Sequence, residues 1–213
     1  MPFDDKKPLA VASIVLAAGR SSRMGEQHKL LAQVAKASLV TRVVNASLQS
    51  DLVSTSVVVG HRAQDLKNEL LGKEVVFVNS PNYKRGLAES LKAGLASLPT
   101  GIDGVMILLA DMPFITFEHI NTLILEFKPL AQRHIVVPKW QGRRGNPVIW
   151  PMHYIPEMMQ LSGDRGARSL LHVFSENVHS VAMPTDAVLV DVDTPAQLDC
   201  AQARGVVTIT RCS

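Results

Sequence analysis

Short apolar runs alternate along the chain with segments whose apolar positions recur at helical spacing. Strands are predicted at VASIVLA, STSVVVG, EVVFVN, GVMILLA and HIVVP, each nearly continuously apolar. Between them, SLVTRVVNASLQ, AQDLKNELL, LAESLKAGLASL and FEHINTLILEF read as amphipathic helices. Continuous apolar strands bracketed by such helices predict an α/β fold with a mostly parallel sheet covered on both faces. After Pro138 the pattern loosens. KWQGRRGNPVIWP predicts a hairpin or loop feeding an edge strand, GDRGARSLLHVFS a capped helix, and DTPAQLDCAQARG a last helix ending at Gly205. No internal repeat and no low-complexity tract interrupts this order.

Composition narrows the class. The 213 residues, 46% of them hydrophobic, suffice for one α/β domain with a buried core and are few for two, so residues 1–213 are read as a single domain. The net charge of +3, from 22 Lys and Arg against 19 Asp and Glu, is too small a surplus to mark a nucleic-acid-coating surface. Cys200 and Cys212 form no CxxC pair, which fits a reducing compartment and two unpaired thiols. The opening MPFDDKKPLA lacks the basic start and apolar run of a signal peptide, and no apolar stretch approaches about 18 uncharged residues. A cytoplasmic protein with no membrane contact is expected.

Chemistry concentrates where strands end. In an open parallel sheet, ligands sit beyond the carboxyl ends of the strands, so the loops after SIVLAAG, VVFVNS and VMILLAD are expected to converge on one crevice. The first loop, within VLAAGRSSRMGEQHKLL, holds Gly19 and Gly25 together with Arg20, Arg23 and Lys29. A turn alone needs no such excess of cations. Glycines let backbone N–H groups approach phosphate oxygens while Arg23 and Lys29 neutralise charge, which suits a triphosphate. The competing account is a tight turn with solvated arginines. Neither GxxxxGK[ST] nor GxGxxG is present, so the loop is neither a P-loop nor a dinucleotide fingerprint.

Two carboxylate-bearing segments complete the inventory. MILLADMPFIT places Asp111 at a strand end, exposed in the same crevice, where it serves as a ligand for a hard divalent cation or as a cap for the following turn. LVDVDTPAQL puts Asp191 and Asp193 at the end of an apolar strand, with Thr194 as N-cap and Pro195 as the first helical residue.

The segments LAAGRSSRMGEQHKLL, LLADMPFI, RGNPVIW, SGDRGAR and DVDTPAQL, in that order, resemble the molybdenum-cofactor nucleotidyltransferases, the MobA-like NTP transferases. Within them, the cytidylyltransferase branch is the nearer. The resemblance runs from Ser13 to about Ala201. It implies a three-layer αβα architecture with a mostly parallel Rossmann-like sheet of the nucleotide-diphospho-sugar transferase type. It also implies CTP as substrate, Mg²⁺ as cofactor, and transfer of CMP to the phosphate of molybdopterin with release of pyrophosphate. A molybdoenzyme would then be the protein partner that receives the product.

The family's Gly-rich motif matches at Leu16, Ala17, Ala18, Gly19, Arg23, Met24, Gly25 and Lys29, and related guanylyltransferases resemble LAGG, with glycine in place of Ala18. That difference favours CTP. By the same resemblance, Arg23, Lys29 and Asp111 are catalytic, and Asp111 and Asp193 hold the metal with Asp191 in reserve. Leu16, Ala17, Ala18, Gly19, Gly86 and Ser90 approach the nucleotide. Arg144 or Arg143, Asn146 and Asp164 take the acceptor. The chain departs from the family at AKASL, where a GKPL-type turn is usual, and in one extra residue between Gly25 and Lys29. His28 is expected as a solvated loop residue, and Met152, Met158 and Met159 as core filling. The rivals are transfer to a different phosphorylated small molecule, a guanylyltransferase of the same pathway, and a non-catalytic molybdopterin carrier.

Overall fold

The computed structural model describes residues 9–19, 28–130 and 133–210. Arg20, Arg23, Met24, Gly25 and Cys212 lie outside them. Ten strands occur among the described residues: β1 (Val11–Ala17), β2 (Gln33–Val34), β3 (Ala37–Ser38), β4 (Ser54–Val59), β5 (Val76–Asn79), β6 (Gly104–Leu109), β7 (Ile135–Trp140), β8 (Arg143–Arg144), β9 (Val148–Pro151) and β10 (Val178–Ala182). The helices are α1 (Leu39–Leu48), α2 (Ala63–Glu69), α3 (Leu87–Ala96), α4 (Phe117–Phe127), α5 (Ile155–Met159), α6 (Leu170–Val173) and α7 (Pro195–Thr210).

The main sheet runs β10-β7-β9-β6-β1-β4-β5, with β8 paired to β7 at its side. β1 is parallel to β4 and β6, β4 to β5, and β10 to β7, whereas β9 runs antiparallel to both of its neighbours. The sheet is thus mostly parallel and flanked by helices, as expected. Alternation along β1 separates two cores. Val11, Val15 and Ala17 pack with residues of α1, α2 and α4, while Ile14 and Ala18 pack with α3 and α5. Ser13, buried in β1, is satisfied by Ser47 of α1 at 2.8 Å and Thr55 of β4 at 3.2 Å, which offset the desolvation of its hydroxyl.

Several expectations after Pro138 need correction. VIWP is an interior strand, β9, wedged between β6 and β7, with all four residues buried and Trp150 fully enclosed. GDRGARSLLHVFS forms a 3-10 turn at Ala167–Ser169 and the single short helix α6, with no side-chain cap. The segment before Asp191 is a 3-10 turn, Asp186–Leu189, where a strand was expected, and α7 continues past Gly205. Thr194 does cap α7: its Oγ1 accepts from Gln197 N–H at 3.3 Å, and the Gln197 side chain accepts from Thr194 N–H at 2.9 Å. His28 is buried, with 6% exposure. Of the three methionines, Met158 is core while Met159 is exposed.

Candidate active site

The chain leaves β1 for β4 and β5 on one side and then crosses to β6 on the other, so the sheet order reverses at β1. A crevice opens at the carboxyl ends of β1 and β6, the place where open α/β sheets hold ligands. A cleft of about 560 Å³ fills it. Its floor is Leu16, Ala17, Ala18 and Gly19 from β1 and the turn that follows. Tyr83, Lys84, Gly86, Leu87 and Ser90 from the connection into α3 also line it, as do Leu109, Asp111, Asp193, Lys29 and Asp164. The loops after SIVLAAG, VVFVNS and VMILLAD therefore converge.

At the centre stands a cluster assembled from three remote parts of the chain. Lys29 Nζ donates to Asp111 Oδ2 at 2.7 Å and to Asp193 Oδ1 at 2.7 Å. Burial works against the Lys29 ammonium, but the charge and hydrogen bond of Asp111, joined by those of Asp193, raise its pKa above the ordinary lysine value. Asp111 is not exposed as anticipated; its side chain is 22% accessible. Burial pushes its carboxyl upward, Lys29 pulls it back only in part, and the charges of Asp193 and Asp191 push it further up. Two carboxylates thus hold one ammonium, a surplus of acid over base within the Lys29–Asp111–Asp193 cluster.

That surplus suits a divalent cation. Among the described residues no group of three or more His, Cys, Asp or Glu could cage a metal by itself. Mg²⁺ does not require one, because it commonly takes one or two carboxylates and completes its shell with water and substrate phosphate. Asp111 Oδ1 is buried without a hydrogen-bond partner, an orphaned acceptor of the kind a cation or its water would satisfy. Asp111 and Asp193 could hold such an ion. Asp191 lines a neighbouring cleft and not this one, while its charge still acts on Asp111.

A second cleft, about 510 Å³, adjoins the first and shares Leu109 with it. Arg143, Arg144, Asn146, Arg168 and Asp191 supply its polar lining. Its wall is fixed by a close approach: Gly145 lies against the Val188 carbonyl so tightly that a β-carbon there would overlap it, and Asn146 N–H donates to the same carbonyl at 2.9 Å. Arg168 donates to Arg144 O at 2.9 Å. The expected acceptor residues are therefore divided, with Arg144 and Asn146 in the second cleft and Asp164 in the first. Asp164 caps no helix, since Gly166 precedes the 3-10 turn. Sequence reasoning passed over Tyr83, Lys84 and Arg168. The signals were present in NYKRG and SGDRGAR, both singled out for other residues.

A mostly parallel sheet with a lysine, paired acids and a roomy cleft at its switch point is suited to hold a nucleotide. Residues 13–181 match the MobA-like NTP transferase domain, and the chain belongs to that family. It is 29% identical over 197 residues to the purine catabolism protein PucB of Bacillus subtilis (strain 168), covering 87% of this chain and 93% of that one. It is 24% identical over 196 residues to the molybdenum cofactor cytidylyltransferase of Escherichia coli (strain K12), covering 92% and 97%. Among solved structures, a Mycobacterium sp. strain JC1 homologue of Mycobacterium tuberculosis rv0371c superposes with a TM-score of 0.82 at 22% identity, covering 93% and 98%. The fold is thus that of the nucleotide-diphospho-sugar transferases, and the protein is a nucleotidyltransferase.

Proposed function

We propose that the protein transfers CMP from CTP to the terminal phosphate of molybdopterin, releasing pyrophosphate. An acceptor phosphate oxygen attacks the α-phosphorus, a new P–O–P linkage forms, the bond from the α-phosphorus to its bridging oxygen breaks, and pyrophosphate leaves with that oxygen. No covalent enzyme intermediate is required. What the protein must do is bring two anions together in line and neutralise the leaving group.

The observation that carries this reading is Lys29 held at 2.7 Å from both Asp111 and Asp193, at the mouth of the small-residue turn that ends β1. Leu16, Ala17, Ala18 and Gly19 let a nucleotide lie close to the backbone, with Gly86 and Ser90 opposite. Lys29, together with Arg23, takes up charge on the pyrophosphate. Asp111 and Asp193 would hold Mg²⁺, which would supply electrophilic orientation of the α-phosphate. In the neighbouring cleft Arg144 and Asn146 receive the acceptor's phosphate, and Asp164 takes part in acceptor binding from the first cleft, which it lines.

CTP is favoured because Ala18 stands where guanylyltransferases resemble glycine, and the relative from Escherichia coli is named a cytidylyltransferase. The second reading keeps the chemistry and changes the acceptor to another phosphorylated small molecule, because the arginine-rich cleft reads a phosphate before it reads what carries it. A carrier without activity accounts poorly for a buried metal-type carboxylate with an orphaned oxygen. The deciding experiment incubates the protein with Mg²⁺, each of the four NTPs in turn, and molybdopterin or a sugar or polyol phosphate. Pyrophosphate and a CMP adduct formed only with CTP and molybdopterin support the proposal. Preference for GTP, or for another phosphate, transfers the assignment, and no pyrophosphate with any pair leaves the carrier.

A further inference from the structure

Lys29 occupies the ground between the two carboxylates assigned to the metal. Its ammonium lies 2.7 Å from Asp111 Oδ2 and 2.7 Å from Asp193 Oδ1, with only 8% of the side chain accessible. The backbone beneath it is fixed, because Lys29–Leu31 forms a 3-10 turn in which Lys29 O accepts from Ala32 N–H at 3.0 Å. Movement is therefore left to the flexible side chain. A divalent cation held by Asp111 and Asp193 would compete with the ammonium for these carboxylates, and the two cations also repel each other. Asp111 Oδ1 remains buried without a partner, so Asp111 retains an acceptor that the ammonium does not use.

We propose that Lys29 is the resident counter-cation of the Asp111–Asp193 pair, and that a triphosphate draws it off these carboxylates to admit the divalent ion. Metal and nucleotide then bind cooperatively: phosphate oxygens offer the ammonium new partners, and the carboxylates it leaves accept the metal. By linkage, the ion strengthens triphosphate binding by the factor by which triphosphate strengthens ion binding. Without nucleotide, the ion must displace a buried ammonium that is hydrogen-bonded to both carboxylates. The inference rests on the nucleotidyltransferase reading of this cleft.

The test is titration of nucleotide-free protein with Mn²⁺, following free Mn²⁺ by electron paramagnetic resonance. The unaltered chain is expected to bind Mn²⁺ weakly, in roughly the millimolar range, as suits a site with two carboxylates and no phosphate. Lys29→Met and Lys29→Gln remove the charge while nearly keeping the length, and each is expected to bind Mn²⁺ at least about tenfold more tightly. Lys84→Met removes a cation that lines the same cleft but is not bonded to the pair, and is expected to change affinity less than about threefold. Adding Asp111→Asn to Lys29→Met should abolish the gain.

Dissociation constants below about 10 µM for the unaltered, nucleotide-free chain overturn the proposal directly, whatever the variants do. So does a folded Lys29 variant with no gain, a gain matched by Lys84→Met, or one that survives loss of Asp111. The titration needs no turnover. It therefore fails or succeeds separately from pyrophosphate release, which tests the underlying function.

Discussion

Gly86 packs backbone to backbone on Gly163: a β-carbon at Gly86 would overlap the Gly163 carbonyl and stand 2.8 Å from the Asp164 amide nitrogen. The contact is sealed by Ala88 N–H, which donates to Gly163 O at 3.0 Å. It fastens the start of α3 to the loop that carries Asp164 toward the first cleft and Arg168 toward the second. Gly86 also has φ of 117°, in the region that favours glycine. Gly86→Ala should therefore destabilise the fold by about 2–5 kcal/mol, combining backbone strain with overpacking. Gly163→Ala meets nothing within 4 Å and bears only the strain of φ 63°, about 1 kcal/mol. Chemical denaturation of both variants checks the order, and equal losses would deny the close approach its role.

Asp111 couples function to a stability cost. Burial raises its carboxyl pKa, so the native state is favoured when Asp111 is protonated and loses that advantage as pH rises through the raised folded value. At neutral pH the ionised form is a burden on folding. Asp111→Asn should thus leave the melting temperature at pH 7.5 unchanged or higher, while transfer falls by about 10²-fold or more. Melting curves and a pyrophosphate assay on one preparation measure both. A marked loss of stability would mean that the ion pair with Lys29 outweighs burial.

How much of this was legible in the sequence depends on the range of the interaction. Val11–Ala17, Ser54–Val59 and Gly104–Leu109 are strands because continuous β-branched runs need both faces covered, and that signal is local. Val148–Pro151 carries the same signal in VIW but follows a loosened, Gly-rich stretch, and only pairing with β6 and β7 makes it interior. The strand at Val178–Ala182 is short and half-exposed at the sheet edge, so its pattern was too weak to read. Lys29, Asp111 and Asp193 each stood out at a strand end or loop. Their meeting could not be read, since the bonds span 82 and 164 residues.

The AKASL departure has a visible consequence. Ala35 and Lys36, at φ 51° and 67°, form the turn of the β2–β3 hairpin, both in the left-handed region. A residue with a β-carbon is strained there by about 1–2 kcal/mol, part of which glycine returns through unfolded-state entropy. Ala35→Gly should raise stability by about 0.5–1 kcal/mol without altering kinetics, because neither cleft is lined by the hairpin. Urea melts decide it, and a neutral or negative change would show that the turn is relaxed as it stands.

Lys29 and the growing charge on pyrophosphate give a kinetic expectation. If the ammonium meets phosphate oxygens as the bond to the α-phosphorus breaks, its contribution is larger in the transition state than in bound CTP. Lys29→Ala should lower kcat by about 10²-fold or more, roughly 3 kcal/mol, with a smaller change in KM. Lys29→Arg should rescue poorly, since a planar fork does not fit where a compact ammonium sits between two carboxylates. Near-normal steady-state kinetics in both variants would confine Lys29 to its structural ion pairs and remove it from the chemistry.

His119 makes the fold sensitive to pH at the start of α4. Its Nδ1 accepts from Thr116 N–H at 3.2 Å, so that nitrogen carries no proton, and Nε2–H donates to Thr185 Oγ1 at 3.1 Å. One imidazole thereby caps α4 and ties it to the turn before Asp186–Leu189. Burial lowers the pKa of His119 below 6.5, against a weaker upward pull from Glu118. The neutral ring is therefore bound preferentially by the native state. Its stabilising effect is complete above the ordinary histidine value and is lost as pH falls below 6.5 through the depressed folded value. Protonation removes the acceptor from Thr116 N–H, at a cost of about 1 kcal/mol, typical of a lost cap. His119→Gln keeps a side-chain acceptor at the same helical position but does not titrate. Melting temperatures between pH 8 and 5 should fall more steeply for the wild type than for His119→Gln, with the curves diverging only below about pH 6.5. Parallel curves across that range would show that the cap does not depend on the neutral ring.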